Sequence, residues 1–293
     1  MKTMGYEEYM RLALREAGES LKAGNHGFGA VIVKGGLVLA QARDTEASES
    51  DPTAHAEMNA IRRAAQKIGR DLCSCTIIST HEPCPMCSAA IVWAGISRVV
   101  YGMSIGDAVK AGRRRIDIGC AEIIRRAAAN IEVIGGVLKE ECSMLYSSEV
   151  REHVARFRGI DQARAGRLEQ ELLLKRRAWL ENNRQLLSQL EGDDLEKAYR
   201  LLCTKLGIKE EEAPVVEKTP ERIVFHSRNH CPSLEACRIL DLDTRQICRW
   251  IYQRPTEELV REINPRLRFT RNYDCLRPFA DHCEEMFYLE EED

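Results

Sequence analysis

Hydrophobic and polar positions near the start of the chain follow two different periods. Apolar residues recur every three or four positions from Tyr6 to Leu21, which predicts an amphipathic helix. Two short apolar runs, Ala30–Val33 and Leu37–Ala40, then flank Lys34-Gly35-Gly36. Such runs on either side of a glycine-containing turn predict a β-hairpin. The chain therefore begins with a helix followed by two paired strands.

Helices and strands are predicted to alternate from there to about residue 150. Helices begin near His55 and Cys84, where turn residues give way to helix formers. Apolar runs typical of strands lie at residues 76–80, 98–101 and 131–134. Because such a chain packs its helices on both faces of a sheet, residues 1–155 are predicted to form a three-layer α/β/α domain with a mixed sheet.

The pattern changes in the second half of the chain, which is predicted to be mainly α-helical. Residues 156–210 are rich in charges and leucines, and we expect a helical connector with a long helix and a second one at Leu195–Leu206. Residues 211–293 are expected to form a small, mainly helical, cysteine-containing domain. Short helices are predicted in it at residues 234–240, 244–252, 256–263 and 279–287.

Length, charge and cysteine content limit the classes of protein to which this chain can belong. A chain of 293 residues is long enough for about two domains. Residues 1–160 carry 21 Lys and Arg against 19 Asp and Glu, and the remainder carries 22 against 27, so neither half is strongly basic. No apolar run has the length of a membrane span or the pattern of a signal peptide. We therefore expect a cytoplasmic protein, without a membrane partner, whose cysteines are reduced.

Four residues carry the candidate chemistry. His55-Ala56-Glu57 is followed by Pro83-Cys84-Pro85-Met86-Cys87. One imidazole and two thiolates fill three positions of a tetrahedral zinc and leave the fourth for water, as a catalytic zinc site requires. We therefore predict one catalytic Zn²⁺ held by His55, Cys84 and Cys87. Glu57, which is not a ligand, is predicted to be the catalytic residue that takes a proton from this water and passes it on.

The spacing also predicts where these side chains lie. His55 and Glu57 are expected in the first turn of one helix, and Cys84 and Cys87 on one face of a second helix. The exposed N–H groups at the two helix N-termini would stabilise the thiolates. A structural zinc knuckle or a redox-active cysteine pair is the alternative. A structural site, however, would close with a fourth protein ligand and would have no use for Glu57.

The combination of H-x-E with P-C-x-x-C resembles the signature of zinc-dependent deaminases. Residues 1 to about 150 resemble the cytidine deaminase superfamily, and within it the branch of bacterial guanine deaminases and tRNA adenosine deaminases. The resemblance implies a hydrolytic deaminase that removes an exocyclic amine from a small, nucleobase-like molecule and releases ammonia, with the guanine deaminase type favoured. It also implies a homodimer.

The same resemblance indicates four substrate-binding residues. Phe28, within Gly27-Phe28-Gly29-Ala30, lies where the family places the substrate ring, although an aromatic residue at a strand start is equally typical of a core. Asp44 replaces an Asn that donates to a substrate carbonyl, and a carboxylate favours N–H groups instead, unless a loop shift makes Asp44 a surface residue. Trp93 matches a Trp of guanine deaminases, although ordinary packing of the helix against the sheet is the alternative. His81, near the zinc ligands, either lines the pocket or bonds to a backbone carbonyl.

Two alternatives to a nucleobase deaminase stay open. Arg113-Arg114-Arg115 can bind a phosphate, a substrate carboxylate or RNA, or can form a solvated surface. In a tRNA adenosine deaminase they would contact RNA, but the near-neutral charge of this half does not favour a nucleic-acid partner. The other alternative is a non-catalytic zinc- and ligand-binding interaction protein, which the presence of Glu57 disfavours.

The C-terminal part contains further potential metal ligands, namely His226, His230, Cys231, Cys237, Cys248, Cys275, His282 and Cys283. Their spacings fit no metal motif, and cysteines often pack in a core as small apolar residues. The sequence leaves open whether this part gates the pocket, binds a second ligand or holds a dimer together.

Overall fold

The computed structural model describes residues 5–290 and divides the chain into two compact units. We call Met1–Ala155 the N-terminal unit and Arg156–Asp293 the C-terminal unit. No helix in the described range is long and apolar enough to cross a membrane.

The N-terminal unit is built on a mixed sheet. Its described strands are β1 (Gly29–Lys34), β2 (Leu37–Arg43), β3 (Cys75–His81), β4 (Arg98–Met103) and β5 (Glu132–Gly135). Its described helices are α1 (Tyr6–Lys22), α2 (Glu46–Glu49), α3 (Ala56–Ile68), α4 (Pro85–Trp93), α5 (Ile105–Lys110), α6 (Cys120–Arg126), α7 (Lys139–Met144) and α8 (Ser148–Phe157), and α8 contains the boundary. The strand order is β2-β1-β3-β4-β5, in which β1 is antiparallel to both neighbours and β3, β4 and β5 are parallel.

Side chains that alternate along β1 separate two apolar cores. Ala30 and Ile32 face the core shared with α3, α4 and α6, whereas Val31 and Val33 face the core shared with α1 and α7. This alternation is the two-residue period of a strand whose two faces are both covered. The predicted three-layer α/β/α class with a mixed sheet is therefore confirmed.

Gly29 allows α1 to lie directly against the sheet. A Cβ atom added at Gly29 would be 1.9 Å from the carbonyl oxygen of Ala13, so any larger residue would force the helix away. The close approach fixes the start of β1, and with it the preceding Phe28.

The C-terminal unit combines helices with a second sheet. Its described strands are β6 (Val215–Lys218), β7 (Arg222–Ser227), β8 (Leu267–Arg271) and β9 (Cys283–Leu289), all antiparallel in the order β6-β7-β9-β8. Its described helices are α9 (Gln162–Asn182), α10 (Gln185–Gln189), α11 (Asp194–Leu206), α12 (Pro232–Leu240), α13 (Thr244–Ile247) and α14 (Gln253–Val260). A 3₁₀ turn at Glu210–Glu212 and a π-helical turn at Cys248–Tyr252 complete it.

The many helices of this half were predicted, but its four-stranded sheet was not. The helix predicted at residues 279–287 is wrong, because β9 occupies most of that segment. Buried Glu285 and Phe287 lie two positions apart, which is the period of a strand. The acidic residues around them conceal this period in the sequence.

The segments predicted as a connector and as a separate C-terminal domain share one core. Leu195, Tyr199 and Leu202 of α11 pack in the same buried cluster as Phe225, Phe269 and Phe287 of the sheet. The aromatic ring centroids within it are 5.2 to 5.6 Å apart. Residues 156–293 therefore form one unit, because α11 covers the apolar face of the sheet.

Candidate functional site

The N-termini of two helices bring the predicted zinc ligands together. His55 is the N-cap of α3 and Cys84 is the N-cap of α4, which follows β3. Glu57 and Cys87 lie in the first turns of the same two helices. The Nδ1 atom of His55 is 3.6 Å from Sγ of Cys84 and 3.5 Å from Sγ of Cys87. The three side chains form a cluster that is able to hold a metal ion.

The spacing of these atoms fits zinc. A tetrahedral zinc with ordinary Zn–N and Zn–S bond lengths separates a nitrogen from a sulfur ligand by about 3.5 Å, which matches both distances in the cluster. One imidazole and two thiolates are also a donor set that zinc prefers over calcium or magnesium.

Hydrogen bonds prepare one of the thiolates for a cation. The Cys87 thiol and the His55 ring lower the pKa of Cys84 to about 4. The hydrogen bond with Cys84 in turn raises the pKa of His55 to about 9. The contact with Cys84 and burial raise the pKa of Cys87. Cys84 is therefore already a thiolate at neutral pH, whereas binding of a metal ion would displace the protons of His55 and Cys87.

Glu57 is a buried carboxyl group beside this cluster. Its side chain is only 5% exposed, and its Oε1 accepts a hydrogen bond from Oγ of Ser79 at 2.9 Å. The Sγ atom of Cys87 lies 3.5 Å from its Oε2. Burial raises the pKa of Glu57, so this carboxyl holds a proton more readily than an exposed one.

A cavity of about 1580 Å³ opens onto the cluster. Two of the residues predicted to bind substrate, Phe28 and His81, line it together with His55, Glu57 and Cys84. The ring of Phe28 meets that of His81 edge to face, with centroids 5.5 Å apart. An apolar ring and several polar groups thus face one space, as in a typical ligand site.

Trp93 lies outside this cavity, so its expected contact with substrate stays a prediction. Its side chain is 86% exposed, and it is absent from the described lining of the cavity. Trp93 follows Cys84 by nine positions, which turns it about 180° around the helix from that ligand. The helix that directs Cys84 to the cluster therefore directs Trp93 away from it.

Asp44 is fully buried beside His55 and is absent from the described lining of the cavity. Its Oδ1 accepts a hydrogen bond from the backbone N–H of His26 at 3.2 Å, and its Oδ2 has no hydrogen-bond partner in the described part of the chain. Burial raises the pKa of Asp44, while the amide and charge of His26 oppose the rise. One oxygen of this carboxyl group therefore retains the capacity to bond to a ligand.

His81 is held as a neutral ring. Its Nδ1 lies 3.0 Å from the carbonyl oxygen of Glu82. Because a carbonyl only accepts, Nδ1 carries the proton and Nε2 is left as an acceptor. That Nε2 has no hydrogen-bond partner among residues 5–290. Burial lowers the pKa of His81 to about 4, and the charges of Arg115 and Arg113 add to this.

Stability should depend on pH through His81. Its pKa is about 4 in the folded chain and about 6.5 in an unfolded one, so between these values only the unfolded state takes up the proton. The wild type should therefore lose up to about 3 kcal/mol of unfolding free energy between pH 6.5 and 4, relative to His81→Gln. Urea unfolding of both proteins across this range measures the difference. His230→Gln, an exposed control, should behave as wild type, and equal slopes for all three proteins would contradict the assignment.

Glu82 is a site residue that sequence reasoning missed. Its side chain is 8% exposed, and its two oxygens accept hydrogen bonds from the backbone N–H groups of Ile105 and Cys120, each at 2.8 Å. It therefore fixes the starts of α5 and α6 at the cavity. Its position directly before Pro83-Cys84 was the sequence feature that could have indicated a role at the site.

Arginines form one wall of the cavity. The guanidinium of Arg113 lies 5.2 Å from the ring centre of Tyr146, and that of Arg115 lies 5.3 Å from the ring centre of Phe28. Arg114 and Arg151 also line the cavity. Within the described ranges, the side chains of Arg113, Arg115 and Arg151 form no ion pair with a carboxylate. Burial and the neighbouring charges of Arg151 and Arg115 lower the pKa of Arg113 to about 10.

The N-terminal unit is similar to known deaminases. The family model of the cytidine and deoxycytidylate deaminase zinc-binding region matches residues 4–103. The guanine deaminase of Bacillus subtilis is 42% identical over 111 residues, which are 37% of this chain and 71% of that protein. The tRNA-specific adenosine deaminase of the same organism is 33% identical over 153 residues, which are 50% of this chain and 89% of that protein. A solved X-ray structure of the B. subtilis guanine deaminase is 40% identical, with a TM-score of 0.36, and the match covers 38% of this chain and 73% of that one.

The sheet, the His-Cys-Cys cluster, the family model and the two curated relatives identify the N-terminal unit as that of a hydrolytic deaminase. The chain belongs to the cytidine deaminase superfamily. Its relatives act on different substrates, as their names state, so membership leaves the substrate of this chain undecided.

Proposed function

We propose that the chain is a zinc-dependent deaminase that replaces the exocyclic amine of a nucleobase, nucleoside or related amino-heterocycle by oxygen and releases ammonia. A guanine deaminase-like activity is the favoured form. The observation that carries this proposal is the buried Glu57 carboxyl beside the His55, Cys84 and Cys87 cluster, at the wall of a cavity large enough for a heterocycle.

His55, Cys84 and Cys87 would hold the zinc. When bound, the metal supplies Lewis-acid activation of water at neutral pH. The distances between the ligand atoms support this assignment, as does the thiolate character of Cys84.

Glu57 would move the protons of the reaction. Ser79 holds Oε1, and the Cys87 thiol donates to Oε2. When Cys87 binds the metal as a thiolate it has no proton to donate, so Oε2 would be the oxygen that takes a proton from water. The raised pKa of this buried carboxyl allows it to keep the proton until a ring nitrogen or the departing amine accepts it. One residue would thus act as base and then as acid, as deaminase chemistry requires.

Phe28, His81 and Asp44 would bind the heterocycle. Phe28 and His81 line the cavity and offer an aromatic face and the Nε2 acceptor. Asp44 is fully buried outside the described lining, and its Oδ2 acceptor, which lacks a partner in the described chain, would have to be uncovered to reach the ring. Two such acceptors suit a ring that presents N–H groups, as guanine does, because a buried acceptor without a partner is costly. The homodimer stays a prediction.

Ammonia release from zinc-loaded protein tests the proposal. The substrates are guanine, adenine, cytosine, their nucleosides and nucleoside monophosphates, and unmodified tRNA, with Glu57→Ala as the blank. Turnover of any of these above the blank supports a deaminase, and its preference identifies the substrate. Binding of a base without ammonia release from any substrate would instead favour the non-catalytic interaction protein.

The arginines that line the cavity favour a second candidate function. In it, the chain is a deaminase whose substrate carries phosphate, either as a nucleotide or within tRNA. Arg113, Arg115 and Arg151 face the cavity and form no ion pair within residues 5–290, although Glu149 and Glu152 also line it. Guanidinium groups bind phosphate through paired hydrogen bonds. The cavity volume also exceeds the upper end of the range of about 300–1000 Å³ for small-molecule sites. There is thus room for more than a free base.

Replacing Arg113 with alanine should separate these two candidates. If the substrate carries phosphate, KM for it should rise about 10- to 100-fold, because a charge-assisted hydrogen bond contributes about 1.5–3 kcal/mol. KM for an unphosphorylated base should change little. Steady-state ammonia release with each substrate measures the effect. Arg70→Ala, which removes an exposed arginine outside the described lining of the cavity, is the matched control, and equal changes for both substrates would exclude a phosphate contact.

A further inference from the structure

Two histidines and a glutamate lie together on the sheet of the C-terminal unit. His226 on β7 is directly opposite Glu284 on β9, and its Nε2 is 3.3 Å from Oε2 of that carboxylate. His282 precedes β9, and its ring stacks on that of His226 with centroids 3.7 Å apart. One ring nitrogen of each histidine and one carboxylate oxygen all lie within 4.8 Å of one another. Three metal-binding side chains thus converge.

Strand alternation places this group on the face of the sheet opposite to the aromatic core. Phe225 and Phe287 point into that core, so the neighbouring His226 and Glu284 occupy positions of the other face. On that face, Glu284 also lines a cavity of about 270 Å³. One member of the group, Glu284, therefore borders a small space on this face of the sheet.

Hydrogen bonds orient the three side chains. The Nδ2 atom of Asn272 donates to Oε1 of Glu284 at 2.9 Å, which leaves Oε2 on the side of His226. The carboxylate of Asp281 contacts Nδ1 of His282. A carboxylate in this position holds the proton on Nδ1 and leaves Nε2 unprotonated, as in many metal-binding histidines.

A thiol lies next to that nitrogen. The Sγ atom of Cys275 is 3.2 Å from Nε2 of His282, which is close to the separation of about 3.5 Å between a nitrogen and a sulfur ligand of one zinc. Cys275 is also tied to the cluster through its carbonyl oxygen, which accepts a hydrogen bond from the backbone N–H of Glu284 at 2.9 Å. Cys275 therefore lies next to His282, although the group within 4.8 Å contains only the two histidines and Glu284.

We propose that His226, His282 and Glu284 form a second metal site, which binds a divalent transition metal of the zinc type with Cys275 as an additional ligand. Two imidazoles with one carboxylate are a known zinc donor set, and the added thiolate disfavours calcium and magnesium. A tetrahedral zinc holds nitrogen and oxygen ligands about 3.3 Å apart. Nε2 of His226 and Oε2 of Glu284 already have this separation, and all three ligand atoms lie within 4.8 Å of one another. The site uses no residue of the N-terminal unit, and the proposed deaminase chemistry does not require it.

Metal content of the full-length protein tests this site. After loading with Zn²⁺ and dialysis against a weak chelator, the wild type should hold two zinc ions per chain. The double variant His226→Asn, Glu284→Gln should hold one, with unchanged ammonia release. The double variant His230→Asn, Glu191→Gln changes the same residue types at exposed positions in the same unit and should hold two. One zinc in the wild type, or two in the first variant, would overturn the proposal.

A second measurement needs no variant and so stands even if the substitutions prevent folding. The side chains of His226 and His282 are 21% and 14% exposed, so diethyl pyrocarbonate can reach both. Zn²⁺ at ten times its Kd should slow their modification by about tenfold, because only the metal-free fraction reacts. Modification of His230, followed by mass spectrometry in the same samples, should not change. If His226 and His282 are modified at equal rates with and without Zn²⁺, the proposed site is excluded.

Discussion

Replacing Glu57 with alanine should lower kcat for ammonia release by about 10²- to 10⁴-fold, which is the usual contribution of a positioned acid–base residue. The effect should be near the upper end, because the same carboxyl would take a proton from water and return it to the leaving amine. The metal content should equal that of the wild type, since Glu57 is not among the three cluster ligands. Steady-state kinetics on the preferred substrate and metal analysis of the same sample measure both quantities.

The control for this variant is Glu49→Ala, which removes an exposed glutamate at the end of α2. It should keep wild-type kcat and metal content. Full activity of Glu57→Ala would contradict the proposed mechanism. Loss of metal together with activity would show instead that Glu57 supports the cluster, so the two readouts must come from one preparation.

Replacing Cys87 with alanine should have a different signature. The variant should hold one zinc fewer per chain than the wild type. Its kcat should fall by at least about 10³-fold, because the metal's Lewis-acid stabilisation of the transition state, several kcal/mol, is lost with the metal. Cys87 is fully buried and lies 3.5 Å from Nδ1 of His55, so its replacement removes one of the three ligand atoms of the cluster. Metal analysis and kinetics are again measured together.

Cys73→Ala is the matched control, because Cys73 is an exposed cysteine away from the cluster. It should retain both metal and activity. A chelator that strips the wild type should abolish ammonia release, and added Zn²⁺ should restore it in the wild type but not in Cys87→Ala. Retained activity in metal-free protein would exclude a zinc mechanism for this chain.

The two metal proposals predict separable losses. Cys87→Ala should remove the zinc on which ammonia release depends, whereas His226→Asn with Glu284→Gln should remove a zinc without affecting that activity. Failure of one result leaves the other intact, because the two ligand sets belong to different units and share no residue.

Local sequence determined much of the N-terminal unit. Residues three apart at a helix start point to the same side whatever surrounds them, so the spacing of Cys84 and Cys87 predicted their joint position. The strands were readable for a similar reason, because in β1 the covering of both faces produces an uninterrupted apolar run.

Long-range packing determined what the sequence did not indicate. Trp93 was expected at the substrate because of its similarity to a known position, but the turn of α4 places it in solvent. Arg113 and Arg115 were equally compatible with a solvated surface, and only the fold brings them over Tyr146 and Phe28. Position in the sequence carries no information on such contacts.

The second sheet shows the same limit more strongly. His226 and Glu284 are register partners although 57 residues separate them, and their spacing matches no metal motif because the ligands come from different strands. By itself, the sequence determined the α/β class, the candidate zinc ligands and the candidate proton carrier, since these depend on local periodicity and helix geometry. The tertiary structure alone decided which aromatic and charged groups face the cavity and which histidines meet on the second sheet, because pairing of distant strands and helix packing bring those residues together.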